Sequence, residues 1–101
     1  MTFIEFCVAC LQLQVACGGR VTSWGRSSFG NDEIGGVLTS YHTLMMGVDW
    51  TWSKAELLAT TVSDKHGTTL NGRQRMEIMA PRLGLKVIDE GDHLHIQPKR
   101  L

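Results

Sequence analysis

The opening seventeen residues constrain this chain more than any other stretch. From Thr2 to Ala16, the apolar residues Phe3, Ile4, Cys7, Val8, Leu11 and Val15 recur at helical spacing, and Gly18-Gly19 stops the pattern as a helix C-cap does. The segment does not read as a secretory leader: it has no basic start, carries Glu5, and sets Gln12 and Gln14 within its apolar run. It is also too short and too polar to span a bilayer. It reads instead as an amphipathic helix of a folded domain, which implies a chain that is cytoplasmic as synthesised, without membrane insertion. With 101 residues there is room for one domain, residues 1–101, and not two.

After the glycines, Arg20 to Trp24 reads as a short strand, and the polar, glycine-rich stretch Gly25 to Gly36 as a long loop. Val37 to Trp52 reads as a strand region with a turn or bulge near Gly47. Ser53 with Glu56 is a capping signal for a helix running to about Val62. Asp64 to Thr69 is then loop, and Asn71 caps a helix from Gly72 to about Leu83, with Pro81 and Gly84 at its end. Leu85–Ile88 and His93–Ile96 are strands around a Glu90-Gly91 turn. The fold class is α+β: a small antiparallel sheet with helices packed on one side.

Composition excludes several functions. Ten basic and ten acidic side chains cancel, and no basic cluster offers a footprint for a nucleic-acid backbone. Three cysteines, an odd number, do not make a disulfide framework. Cys7 and Cys10 form a C-x-x-C, but without a second such pair they read as small apolar core residues.

The chemistry-bearing residues are the histidines and their acidic neighbours. A catalytic zinc takes three protein ligands and keeps a fourth position open, and the candidates are His42, Asp49 and one of His93 and His95. His42 and Asp49 are seven residues apart, so both reach one metal only if the chain turns between them, and Met45-Met46-Gly47 supplies the bend. His66 reads as a solvated loop residue. Trp50 and Trp52 share a strand face and wall the core or a cleft.

Ser23-Trp24-Gly25-Arg26-Ser27, then Asn31, Gly35-Gly36-Val37, Ser40-Tyr41-His42, Asp49, and finally Asp92-His93-Leu94-His95-Ile96 follow one another in an order that resembles peptidase family M15. That family comprises zinc D-Ala-D-Ala carboxypeptidases and phage endolysins, and the resemblance runs from about Phe3 to Gln97. The sequence departs from the pattern at Met45, where the family usually carries glycine; Gly47 stands where it usually carries a small residue. The resemblance implies a hedgehog/D-Ala-D-Ala peptidase-like fold and one Zn2+ per chain, held by His42, Asp49 and His95. It implies a substrate-facing Arg26 that stabilises the oxyanion or holds a carboxylate, with Ser40 also binding substrate. For the general base the resemblance offers Asp92, three residues before the last ligand, first, His93 of the His-x-His close second, and Glu90 third.

The expected function is therefore zinc-dependent hydrolysis of bacterial cell-wall (peptidoglycan) peptides by a monomer, through metal-activated water. A separate lysis protein would release such an enzyme to the wall. The rival reading is a catalytically inactive zinc-binding recognition module of the same fold.

Overall fold

Three side-chain caps set where the helices begin. Thr2 with Glu5, Ser53 with Glu56 and Asn71 with Gln74 each form a reciprocal capping box, so two of the otherwise unpaired N–H groups at each helix start are satisfied. The computed structural model describes residues 1–25 and 45–100. In chain order these form α1 (Phe3–Cys17), β1 (Arg20–Trp24), β2 (Val48–Thr51), α2 (Lys54–Ala59), β3 (Val62–Ser63), β4 (Thr69–Leu70), α3 (Gly72–Arg82), β5 (Leu85–Asp89) and β6 (Leu94–Pro98).

The protein is α+β. Its main sheet has the order β1-β2-β6-β5 with every neighbouring pair antiparallel, and β3-β4 is a separate hairpin. Val48 pairs with Ile96 and Trp50 with Leu94, so these four share the face that meets Phe6, Ala9, Cys10, Leu13 and Cys17 of α1 and Met76 and Ala80 of α3. Phe6 also meets Trp24 edge-to-face at 5.6 Å. None of the helices among the described residues is long and apolar enough to cross a membrane.

The end of α1 is tied down from three directions. The indole N–H of Trp50 donates to the Gly18 carbonyl at 2.9 Å, and that of Trp52 to the Cys17 carbonyl at 3.1 Å. Arg75 of α3 donates to the Ala16 carbonyl through one guanidinium nitrogen and to the Thr60 carbonyl, at 2.6 Å, through another. Thr60 in turn accepts the Gly72 N–H at 2.9 Å. Gly72 permits this convergence, because a Cβ there would stand 1.9 Å from the Cys17 carbonyl oxygen.

Three features differ from the sequence reading. The helix after Ser53 stops at Ala59, where the β-branched Thr60, Thr61 and Val62 begin and Thr60 turns its hydroxyl back on the Glu56 carbonyl. Val62-Ser63 then pairs with Thr69-Leu70, and Asp64 closes the hairpin turn by accepting the His66 and Thr68 N–H groups. In α1 the buried face is Phe6, Ala9, Cys10, Leu13 and Cys17, whereas Ile4, Val8, Leu11 and Val15 of the expected stripe are exposed. The helix is apolar on two faces, so periodicity alone did not tell which one meets the core.

Two outcomes follow. Gly72→Ala should destabilise the fold by about 2–4 kcal/mol, because backbone carbonyl and helix start must separate to admit the methyl group; urea unfolding measures this. The Ser53 N–H and hydroxyl hold Glu56 below the usual carboxylate range, and Thr2 does the same to Glu5. A lowered folded-state pKa gives stability that is full above the ordinary glutamate range and disappears as pH falls through the lowered value. The melting temperature should therefore drop on acidification towards pH ~3, and drop less in Glu56→Gln.

Candidate functional site

The face of the sheet turned away from the helices carries the polar residues. Asp49 lies between Val48 and Trp50, so alternation that buries those two in the core turns its carboxylate to the opposite face. There it pairs in register with His95 of β6 and with Ser23 of β1. Both partners of the central pair are buried, Asp49 with 7% and His95 with 8% of its surface exposed. The His95 ring meets the carboxylate directly, with Nδ1 3.1 Å from Asp49 Oδ1. On its other side, Nε2 lies 2.8 Å from Oε1 of Gln97, two residues along the same strand face. The imidazole thus faces an oxygen acceptor at each nitrogen.

His93 precedes β6 on the same face, with Nε2 3.9 Å from Asp49 Oδ1 and Nδ1 2.7 Å from Asp92 Oδ1. Asp92 itself is a turn residue whose side chain is 91% exposed. The hydrogen bond from His93, reinforced by the charge of that ring, holds the Asp92 carboxyl below its usual range. Its backbone is fixed as well, because Thr51 donates to the Asp92 carbonyl at 3.0 Å. Gly91, at φ 90°, lets the chain turn there.

The structure therefore brings together Asp49, His93 and His95, with Asp92 attached through His93 rather than turned towards the Asp49–His95 pair. Arg26, Ser40 and His42 lie outside the described residues, as do most of the Gly25–Gly36 loop and residues 37–44 of the strand region expected after it. Among the described residues, no group of three His, Cys, Asp or Glu side chains is arranged to hold a metal ion. Trp50 and Trp52 wall the core. Sequence reasoning passed over Gln97, although the period of two through His93, His95 and Gln97 is the signal that places all three on one face.

The turn expected before Asp49 is present where it is described. Met45 has φ 62°, in the left-handed region, and its carbonyl accepts the Trp24 indole N–H at 2.9 Å. The backbone there has the conformation glycine favours. Met45→Gly should therefore leave the free energy of urea unfolding within about 1 kcal/mol of the parent, whereas the β-branched Met45→Val should lower it by about 1–2 kcal/mol.

No family model, curated protein or solved structure matches the chain.

Proposed function

We propose that this chain is a zinc-dependent peptidase acting on peptidoglycan peptides, with Asp49 and His95 as two metal ligands and His42 as the third. The observation that carries the reading is the buried, in-register Asp49–His95 pair with His93 beside it on the same sheet face. The substrate class rests on the M15 resemblance.

The donor atoms suit the metal. Ligand atoms of one tetrahedral zinc stand about 3.4 Å apart at bond lengths of about 2.1 Å, close to the 3.1 Å between Asp49 Oδ1 and His95 Nδ1. With a cation at Nδ1, the His95 proton would stand on Nε2, where Gln97 Oε1 is placed to accept it; such outer partners orient metal-binding histidines. Zinc held by Asp49, His95 and His42 would supply Lewis acidity to a peptide carbonyl and to water.

The chain's own residues handle the proton. Asp92, kept ionised by its contact with His93, holds a proton on Nδ1 and leaves Nε2 as the basic nitrogen on the site's side. In this reading His93 is the base and Asp92 orients it, the reverse of the order the sequence suggested. His93 Nε2 takes a proton from water as its oxygen bonds to the peptide carbon. The same nitrogen returns that proton to the amine as the C–N bond breaks.

Metal analysis of the purified protein should give one zinc per chain, with loss of the metal in Asp49→Ala and in His95→Ala. His93→Ala should retain zinc and lose about 100-fold or more of wall-peptide cleavage, the usual effect of removing a general base. Asp92→Asn should reduce the rate less and shift its pH profile. A protein that binds no zinc, or whose cleavage of wall peptides survives chelation, would sink the proposal; bound zinc without any cleavage would favour the recognition-module reading.

A further inference from the structure

The outer face of α1 has a pattern that its inner face does not explain. Ile4, Val8, Leu11 and Val15 follow one another at steps of four, three and four residues, which is the a/d seam of a heptad repeat. All four are exposed, Ile4 at 74% and Val15 at 89%. The steps place valine at both a positions and isoleucine and leucine at the d positions, so the seam is apolar throughout. We infer that this face is a self-association surface, through which two copies of the chain pair their α1 helices antiparallel. The protein is then a homodimer, not the monomer expected from its sequence.

Several observations single out a second copy as the occupant. An isologous contact needs a surface complementary to itself, and in an antiparallel pairing Ile4 meets Val15 of the other copy while Val8 meets Leu11. The four positions are symmetric about a point midway between Val8 and Leu11, so a twofold axis there matches every apolar residue with another. Charge does not oppose the contact. Glu5 is the only charged residue in α1, and its carboxylate already accepts the Thr2 N–H at 2.7 Å. The absence of lysine and arginine from the helix disfavours a lipid surface, because interfacial helices border their apolar face with cations.

Beside the seam, Cys7, Leu11, Val21 and Trp24 line an apolar cleft of about 270 Å³ between α1 and the sheet, large enough to receive aliphatic side chains from a partner helix. Phe3 and the four seam residues expose on the order of 500 Å² of surface, so a twofold contact buries at most about 1,000 Å², the lower edge of a specific interface. A two-heptad seam is too short to hold free peptides together. Here α1 is already ordered by its own core, so pairing does not bear the cost of folding the helix. The Asp49–His95 pair is on the sheet face opposite α1, and dimerisation leaves it open.

Sedimentation velocity and light scattering on the full chain test this. The expected result is a concentration-dependent species of twice the 11.2 kDa chain mass, with a dissociation constant on the order of 1–100 μM. V15E and I4K alter exposed positions and should each keep the parent's circular dichroism while weakening the dimer about 100-fold. Mixing the two variants should restore dimers, because Lys at 4 meets Glu at 15 of the other chain while a native Ile4–Val15 pair closes the opposite end. A chain that stays at its monomer mass up to about 1 mM overturns the inference, as do dimers indifferent to both variants. A mixture that remains monomeric overturns the antiparallel pairing. Monomers that instead float with phosphatidylcholine vesicles assign the face to lipid and overturn it too.

Discussion

The capping of α1's C-terminal carbonyls by Trp50, Trp52 and Arg75 is the constraint on which the rest of this structure depends. The last turn of any helix leaves carbonyls without partners, and here the end of α1 is close against α3, where water offers little relief. Two indoles and a guanidinium replace it. Their donors come from β2, the residue following it, and α3, so satisfying one helix end also fixes the strand and the second helix relative to it. The same three side chains bring bulk as well as hydrogen bonds, with Trp50 almost wholly buried.

That arrangement decides where the polar chemistry goes. Trp50 directed inward leaves Asp49 directed outward, and antiparallel pairing with β6 carries His95 to the same place. Both belong to the two central strands, where the backbone is hydrogen-bonded on either side and moves least. His93 and Asp92 enter from the less regular turn before β6, steadied by Thr51. The Asp49–His95 pair is thus on the rigid part of the sheet, and the His93–Asp92 pair is on its less regular margin.

Much of the fold was legible from local signals. The Ser53/Glu56 box, the Asn71 cap, Gly18-Gly19 and the Glu90-Gly91 turn each act through neighbours a few residues away, and each is where the sequence put it. That Asp49 and His95 share one sheet face was also legible, because alternation along a strand fixes the face once its core residues are known. What the sequence did not disclose depends on distant partners. The β3-β4 hairpin requires Val62 to meet Leu70, and which apolar face of α1 is buried depends on its packing against β2, β6 and α3. Asp92 bonding to His93 is a rotamer choice in a turn, and residue spacing does not encode it.

The burial pattern of β2 has one more consequence. Val48 and Trp50 flank Asp49, and all three are buried. Were β2 to slip by one residue against β6, a carboxylate would enter the apolar core and an indole would be expelled to the polar side. No compensating shift exists within so short a strand. Misaligned molecules therefore fail to fold rather than fold with a defective centre, and the core acts as a proofreader for the geometry on its reverse side.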